Sequence, residues 1–527
     1  MTKPRTLRPR QLLLAGLLAL AAPTAAVAQT QLLGIEGMSR SAISPIYAGN
    51  EVKGYLLYTR GDKADRKNDN YLLNFYDQDM QKVKTVTLQK PAGRYFLLRT
   101  SFNGTAFGLY FFNLKERTLE LETYDTSLKL LATKAIGELS KIDLNLIQQM
   151  LTQPNGGDTT FGGLNLFPVP GKGFVRNSAD GLMKSYNLQM YDDKLQPKWR
   201  LSSDPKSKDY ESVSMTEAVD KYVLAIVMRR SGMMSKKLDS YLMAVDAETG
   251  KKVLDVPVET SATEQLSLSS FTFDAAKREF LAVGETYLPS DKPFVNKSQG
   301  FYIKRFSEAG KAVATRQYSW AKDVKALLPA EAKASAEEGY VNFNHSIVKG
   351  ADGSLYIVAE QFKIAGRGLD IAMGLAGMGG GGAKGKIGNL LVFALDPQQN
   401  LQAIKFYGKD GSNVGLPPSA GMLGTGLLGY VIKGSGGFDY QFLQKNDTNT
   451  AFNVVYINYD KEKGEETKKI IGNIGFGNAG AFTLDKIDGS SAATASYVYP
   501  AKPGYLLLAD FTKKQKILAL KLVKLNN

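Results

Sequence analysis

The chain has 527 residues, of which 43% are hydrophobic, with no cysteine and one histidine. The lack of cysteine excludes disulfides and thiol chemistry, and a single histidine leaves mainly oxygen ligands for a metal, so we expect neither a metal site nor a cofactor. The formal net charge of +15 favours solubility or contact with anionic surfaces, and because no nucleic-acid module accompanies it, nucleic acid is not an expected partner.

The first 28 residues have the pattern of a secretory signal peptide. Four basic residues precede the apolar run from Leu12 to Ala22, and Ala26-Val27-Ala28 forms a small-residue cleavage site. The apolar run is too short for a permanent transmembrane anchor. We therefore expect export to the periplasm or the extracellular space, with residues 1–28 removed and a single domain over residues 29–527.

One strand pattern, rich in aromatic and β-branched residues, recurs along the chain and ends at a polar turn. Its eight copies are YLLNFYD (71–77), LELETYD (119–125), YNLQMYD (186–192), YLMAVD (241–246), FYIKRFS (301–307), LLVFALD (390–396), VVYINYD (454–460) and YLLLADFT (505–512). Six copies end in Asp, whose side chain can accept hydrogen bonds from the backbone that follows. Each copy therefore predicts a strand that leads into a tight turn.

Further strand-like runs precede nearly every copy, for example YFLLRTSF (95–102) and FGLYFFNL (107–114). Four antiparallel strands per repeat is the composition of a β-propeller blade. The pattern thus predicts an all-β fold: a single β-propeller of four-stranded antiparallel blades with short helical insertions. The eight copies favour eight blades, and seven is the alternative if one hairpin is misread.

Some intervals between copies are longer than a compact blade requires, and these predict insertions. Near 137–160, Ser140 could cap a short helix. Residues 320–338 indicate a helical excursion interrupted at Pro329. Residues 363–388 hold the glycine-rich stretch DIAMGLAGMGGGGAKGKIG (370–388) and lie between two strands of one blade. This third insertion is therefore an enlarged inter-strand loop.

The glycine-rich loop resembles a phosphate-binding loop only in part. Ile387 stands where that motif needs Ser or Thr, and a strand follows where a helix is required. A mobile loop, a partner contact and a peripheral membrane contact remain as interpretations. The candidate contact residues of this loop are Met373, Leu375, Met378, Lys384 and Lys386.

A second candidate site lies in VNFNHSIV (341–348). Strand alternation places His345 on an apolar face with Val341, Phe343 and Ile347, and places Asn342, Asn344 and Ser346 on the opposite face. A packed, hydrogen-bonded histidine is the interpretation we favour. If this strand is the innermost of its blade, one face borders the central channel, so the candidate binding residues are Asn342, Asn344 and His345.

The run SLYIVAEQFK (354–363), the glycine-rich insertion and GNLLVFALD (388–396) follow one another in a cysteine-free chain with a signal peptide. This layout resembles a family of uncharacterised exported proteins of Bacteroidota. The resemblance covers the whole mature chain. It implies export, and it brings no activity and no catalytic residue with it.

The sequence contains no G-x-S-x-G nucleophile elbow and no calcium-loop motif, and we assign no catalytic residue. The leading hypothesis is an exported, non-catalytic binding or scaffold protein that uses the loop faces of the propeller, with an unknown glycan or envelope protein as its partner. One alternative is a carbohydrate-active hydrolase with a carboxylate pair in the propeller funnel. Another is an envelope-associated structural protein.

Overall fold

A computed structural model describes residues 29–526 except 36, 39–41, 93–94, 137–138, 140–143, 145–146, 148–165, 180–183, 205, 233–238, 260, 292–295, 366–383, 417–424, 461–467, 478–479 and 490–492. In this part of the chain the strands form eight separate antiparallel sheets, each built on a path of four strands. The predicted eight-bladed propeller is therefore confirmed. The predicted signal peptide and most of the predicted insertion near 137–160 lie outside the described residues.

The strands are numbered in chain order, beginning with β1 (Gln29–Leu33). Blades 1 to 4 contain β2 (Ile43–Ala48), β3 (Glu51–Lys63), β4 (Asn68–Asp77) and β5 (Lys82–Pro91); β6 (Tyr95–Phe102), β7 (Ala106–Asn113), β8 (Thr118–Asp125) and β9 (Leu130–Ile136); β10 (Leu166–Val169), β11 (Gly173–Ala179), β12 (Tyr186–Tyr191) and β13 (Pro197–Ser202); and β14 (Tyr210–Val219), β15 (Tyr222–Arg230), β16 (Asp239–Asp246) and β17 (Lys252–Pro257).

Blades 5 to 8 contain β18 (Gln265–Leu266), β19 (Ser270–Asp274), β20 (Glu279–Tyr287), β21 (Gly300–Ser307) and β22 (Ala312–Ser319); β23 (Val341–Lys349), β24 (Leu355–Ala365), β25 (Lys384–Leu395), β26 (Leu401–Tyr407) and β27 (Asn413–Gly415); β28 (Tyr440–Lys445), β29 (Phe452–Asp460), β30 (Lys468–Phe476) and β31 (Phe482–Asp488); and β32 (Ala495–Pro500), β33 (Tyr505–Thr512) and β34 (Ile517–Lys524) together with β1. The helical segments are Trp320–Val324, Lys325–Leu327, α1 (Ala330–Glu337) and α2 (Thr425–Gly434).

The antiparallel order gives the propeller two distinct faces. The first strands of successive blades contact one another and form the inner ring, whereas fourth strands such as β5 are largely exposed. Turns from first to second and from third to fourth strands lie on one face, here called face A. Connections from second to third strands, and from one blade to the next, lie on the other, face B. The helical segments from Trp320 to Leu327, α1 and α2 therefore belong to face B.

The hydrophobic core lies between neighbouring blades. Between blades 4 and 5, for example, Leu224 and Leu242 pack in one cluster with Phe271 and Phe280. A middle strand is thus covered on both of its faces, which explains why β7 (AFGLYFFN) is apolar at almost every position rather than at alternate ones. No helix in the described part of the chain is both long and apolar enough to cross a membrane.

The ring is closed by the two ends of the described chain. Strand β1 pairs antiparallel with β34, with Gln29 opposite Lys521 and Leu33 opposite Ile517. It thereby becomes the outermost strand of blade 8, whose other three strands come from the opposite end of the chain. Leu32 packs against the buried cluster between blades 8 and 1. Blade 8 is therefore complete only when both ends of the chain meet.

The observed strand order corrects the assumption that all eight sequence copies are equivalent strands. The first six copies are third strands of their blades, but VVYINYD and YLLLADFT are β29 and β33, the second strands of blades 7 and 8. In blade 8 the fourth strand is β1. The last two strands of the chain, β33 and β34, are therefore the second and third strands of this blade rather than the third and fourth. The count of eight is right although the alignment of the last two copies is wrong.

Candidate functional site

The predicted residues Asn342 and Asn344 line a small polar cavity on face B, near the start of β23. The cavity has a volume of about 20 Å³ and is also lined by Ser267, Ser269, Glu285, Ser298, Val341, Phe343, Phe362, Gly426 and Tyr430. Helix α2 covers it, and the Tyr430 hydroxyl donates a 2.7 Å hydrogen bond to the backbone oxygen of Leu268 in blade 5. A volume of this size holds a water molecule rather than a substrate.

Glu285 gives this cavity an unusual acid. Burial raises the pKa of its carboxyl to about 7, and the Tyr287 hydroxyl donates a hydrogen bond of 2.8 Å to it. The Oδ1 atom of Asn342 is buried and has no hydrogen-bond partner among the described residues. The cavity thus has polar groups suited to an ordered water, and its acid is protonated for part of the time near neutral pH.

A β-bulge at His345 changes which side chains share a face. Asn344 pairs with Ala359 and Ser346 with Val358, so His345 is the extra residue in the strand. Beyond the bulge the alternation is reversed. The Tyr440 hydroxyl in blade 7 lies 3.5 Å from the Ser346 hydroxyl, and Ile347 packs on the side of blade 5.

The predicted grouping of Ser346 with Asn342 and Asn344 is therefore wrong, as is the grouping of Ile347 with His345. The strict alternation that supported both groupings holds only as far as the bulge.

His345 belongs to a buried network between blades 6 and 7. Its Nε2 atom lies 3.1 Å from Oε2 of Glu360, and Lys409 Nζ lies 2.6 Å from Oε1 of the same carboxylate. Lys409 also binds the carboxylate of Asp439, which accepts a hydrogen bond of 2.8 Å from the Ser412 hydroxyl. The His345 ring stacks on Tyr440, with 4.4 Å between ring centroids.

The protonation states in this network follow from burial and from the charge of Lys409. Burial lowers the pKa of His345, which favours the neutral imidazole. Burial also raises the pKa of Asp439 to about 6. For Glu360, burial acts in the same upward direction, but Lys409 and His345 outweigh it and lower the pKa to about 2.

The side chains of Glu360 and Lys409 are fully buried, so no substrate reaches them. Glu360 also accepts hydrogen bonds from the backbone N–H groups of Asp439, at 3.3 Å, and Tyr440, at 3.1 Å. These bonds tie the second strand of blade 6 to the start of the first strand of blade 7. The network is therefore a connection between blades.

A larger cleft lies on face A, mainly between blades 5 and 6. Its volume is about 380 Å³, and its lining residues are Asn50, Glu217, Val219, Thr272, Phe273, Asp274, Ala275, Ala276, Lys277, Glu279, Phe280, Leu281, Arg305, Ile347, Lys349, Gly353, Leu355, Gln399, Lys445 and Asn449. Phe273, Leu281 and Leu355 form an apolar floor beneath a polar rim. Turns of blades 1, 4 and 7 complete the walls.

Two carboxylates of the cleft form ion pairs. Lys349 Nζ lies 2.6 Å from Asp274 Oδ1, and Arg305 Nε lies 2.5 Å from Glu279 Oε2. Partial burial acts to raise the pKa of Asp274, but the hydrogen bonds from Lys349 and from the backbone of the adjoining turn lower it overall. Both carboxylates are therefore engaged within the protein.

The remaining charged groups of the cleft are one acid and two lysines. Glu217 accepts a hydrogen bond of 2.5 Å from the Thr272 hydroxyl. Lys277 and Lys445, on the turn of blade 5 and at the end of β28 in blade 7, have no ion pair or side-chain hydrogen bond within the described ranges. The cleft thus offers two lysine ammonium groups to a ligand.

The structure separates the other predicted contact residues. Lys384 and Lys386 lie on β25, where they pair with Ala365 and Lys363 of β24 and with residues of β27, so strand pairing holds their backbone. Met373, Leu375 and Met378 lie outside the described residues. Of the predicted binding residues, Asn342 and Asn344 share a cavity whereas His345 faces the next blade.

Sequence reasoning missed the face A cleft. Its residues come from turns of five blades, from Asn50 to Asn449, and none of them forms a local motif. The described part of the chain contains no group of three or more His, Cys, Asp or Glu side chains that could hold a metal ion.

The model of a family of unknown function, DUF6770, matches residues 9–526. No curated protein matches the chain. Among solved structures, it is similar to the apo prolyl oligopeptidase B from Galerina marginata, with 8% identity, a TM-score of 0.38 and coverage of 88% of this chain and 56% of the other. A post-proline cleaving enzyme from Rickettsia typhi shows 9% identity, a TM-score of 0.37 and coverage of 89% and 58%.

The dihydro-heme d1 dehydrogenase NirN in complex with DHE shows 11% identity, a TM-score of 0.38 and coverage of 92% of this chain and 73% of the other. The chain spans a little over half the length of the two peptidases. Similarities of this strength assign no activity to it.

Proposed function

Because the chain belongs to the DUF6770 family, which has no assigned function, we propose from its sequence and its geometry that it is an exported, non-catalytic binding protein. Its ligand site is the face A cleft. The observation that carries this proposal is a cleft of about 380 Å³, the size of a small-molecule site, in which each carboxylate is already held by a neighbouring side chain.

The state of the acids favours binding over hydrolysis. A glycoside hydrolase needs a carboxyl group of raised pKa near the scissile bond and a second, ionised carboxylate. In the cleft, Asp274 has a lowered pKa and Glu279 is bound by Arg305. The carboxyl with a pKa of about 7, Glu285, lies on face B in a cavity of about 20 Å³. The carboxyl group with the raised pKa therefore does not lie in the cleft that is large enough for a ligand.

The lining suits a short oligosaccharide. The apolar floor can cover the C–H faces of sugar rings, while amide groups on the rim can bond their hydroxyls. The amides come from Asn50 and Asn449. This ligand class agrees with the glycan partner expected from the sequence.

Export rests on residues 1–28, whose pattern is that of a cleavable signal peptide. We also propose that the protein comes from Bacteroidota, as its resemblance to exported proteins of that group implies. Cell fractionation and N-terminal sequencing test export: a mature chain that begins at Gln29 supports it, and a cytoplasmic chain that keeps Met1 contradicts it. The alternative of envelope contact depends on residues 366–383, outside the described part of the chain.

The binding proposal is tested by filling the cleft. Ala276 is exposed on its wall, so Ala276→Trp should weaken the binding of oligosaccharides by more than about tenfold through steric exclusion. Titration calorimetry with a panel of neutral and acidic oligosaccharides measures the affinity, and mass spectrometry of the same mixtures detects products.

The matched control is Ala262→Trp, at an exposed position in an open depression on face B. It should leave the affinity unchanged. If Ala262→Trp rather than Ala276→Trp abolishes binding, the ligand site is misplaced. If the wild-type protein releases shortened sugars and Glu279→Gln stops this, the protein is a hydrolase.

A further inference from the structure

The charge of the cleft indicates the class of its ligand. Building on the proposed function, we infer that the ligand is acidic and that its carboxylates or other anionic groups bind to Lys277 and Lys445. The lining contains the four basic residues Lys277, Arg305, Lys349 and Lys445 and the three acids Glu217, Asp274 and Glu279. The site therefore has an excess of positive charge.

Two of the four basic residues, Lys277 and Lys445, form no ion pair with the acids of the cleft within the described ranges. Asp274 forms an ion pair with Lys349, and Glu279 forms one with Arg305. The charges of these four side chains are therefore compensated within the protein. Glu217 lies against the Thr272 hydroxyl on the side of blade 4. Lys277 is exposed and Lys445 is half-buried, so both ammonium groups are accessible to an anionic ligand in the cleft, and their charges attract it.

The backbone that carries Lys277 is fixed before any ligand binds. Asp274 Oδ1 accepts hydrogen bonds from the backbone N–H groups of Ala276, at 3.1 Å, and Lys277, at 3.2 Å, in addition to its contact with Lys349. On the next residue, Arg278 binds Asp220 at 2.7 Å. In the turn of blade 5, therefore, only the Lys277 side chain has to be ordered on binding, which lowers the entropic cost.

Lys445 approaches from a different blade. It is the last residue of β28 and pairs with Phe452 across the hairpin of blade 7. The rim residue Asn449 belongs to the turn that follows. A ligand that contacts both lysines must therefore span the cleft from blade 5 to blade 7, past the Lys349 and Gly353 turn of blade 6. This geometry favours an elongated acidic molecule, such as a uronic-acid oligosaccharide, over a single small anion.

The test compares trigalacturonate with the neutral α-1,4-galactotriose, which has the same linkage, by titration calorimetry. We expect the acidic sugar to bind more tightly, and its affinity to fall about tenfold in Lys277→Gln and in Lys445→Gln, because each change removes one charge-assisted contact. It should also fall as salt is raised. Lys514→Gln, an exposed position in blade 8 outside the cleft, serves as the control of equal charge change.

The outcomes separate this inference from the proposed function. If both sugars bind equally, and Ala276→Trp but neither lysine change weakens them, the cleft is a binding site and the acidic ligand class is wrong. If the acidic sugar binds but Lys514→Gln weakens it as much as the other two changes, the attraction is due to net charge and the inference fails. If neither sugar shows saturable binding, both statements are overturned.

Discussion

At the scale of single residues, the aspartates that end the third strands organise the turns of face A. Asp77, Asp125 and Asp192 each accept backbone hydrogen bonds through Oδ1 from the residues two and four positions later, at 2.8 to 2.9 Å. The residues three positions after them are Met80, Leu128 and Leu195, which have positive φ and buried side chains. Each turn is thus held by a polar bond at one end and by an apolar anchor at the other.

These bonds make the turns sensitive to acid. The backbone N–H of Lys129 and the hydroxyl of Ser127 hold the pKa of Asp125 below its ordinary value. A lowered pKa in the folded state contributes stability above the unfolded pKa, and this contribution is lost as the pH falls through the folded value. We therefore expect the loss of thermal stability between pH 5 and about pH 2 to be smaller in Asp125→Asn than in the wild type.

Thermal unfolding followed by circular dichroism across this pH range measures the difference. Asn keeps the accepting oxygen but does not titrate, so stability at pH 7 should change little. Asp488→Asn, at an exposed position whose side chain has no hydrogen bond in the described part of the chain, is the control. Equal acid sensitivity of wild type and Asp125→Asn would contradict the assignment.

At the scale of elements, the contact between blades 6 and 7 depends on a charge network rather than on apolar packing alone. Lys409 lies between two carboxylates, and its removal leaves Glu360 and Asp439 buried without their cation. Removing one partner of a buried ion pair costs about 3 to 5 kcal/mol. We expect Lys409→Met to lower the free energy of unfolding by an amount in this range.

Guanidinium unfolding monitored by tryptophan fluorescence provides the measurement. Lys405→Met, an exposed position on β26, should change the free energy of unfolding by less than about 0.5 kcal/mol. The double variant Glu360→Gln with Lys409→Met should recover part of the loss, because it removes one of the unpaired charges. A Lys409→Met protein as stable as Lys405→Met would mean that the network contributes little.

The sequence predicted regular elements better than their irregular parts. Alternating and continuous apolar runs indicated the blades, because both patterns depend only on neighbours along a strand. The bulge at His345 was not predictable, since it depends on pairing with β24. Helix α2 was also not predicted, because the glycines around LLGYVIKG favour a loop and its stability comes from packing of Leu428 and Ile432 against blade 6.

At the scale of the whole molecule, the sequence showed how many blades there are but not where a ligand binds. A blade is a local repeat that recurs within one stretch of chain. The face A cleft instead combines residues as distant as Asn50 and Asn449, and only the closed ring brings them together. The sequence alone does not show which lysines and acids of the cleft form ion pairs, so it could not show which charges are available to a ligand.

Ring closure itself can be tested with two adjacent leucines of β1. Leu32 packs against the core between blades 8 and 1, whereas 74% of the Leu33 side chain is exposed. Leu32→Ala should lower the free energy of unfolding by about 1 to 2 kcal/mol, less than for a fully buried leucine. Leu33→Ala should change it by less than about 0.5 kcal/mol.

Urea unfolding of the two variants measures both values under the same conditions. Because the substitutions are chemically identical and lie on neighbouring residues, their difference reports the packing of β1 on blade 8. Equal effects of the two changes would contradict the assignment of β1 as the strand that fastens the ring.

The partnership of β1 with β34 has a consequence for how the chain can be rearranged. Because Gln29 lies opposite Lys521, a short peptide linker could join β34 to β1 as an ordinary hairpin in a protein from which residues 1–28 are deleted. New ends could then be opened in a surface turn between other blades, in a circularly permuted protein. Blade 8 would then be contiguous in sequence. The pairing of β1 with β34 could form before most of the polypeptide has been synthesised.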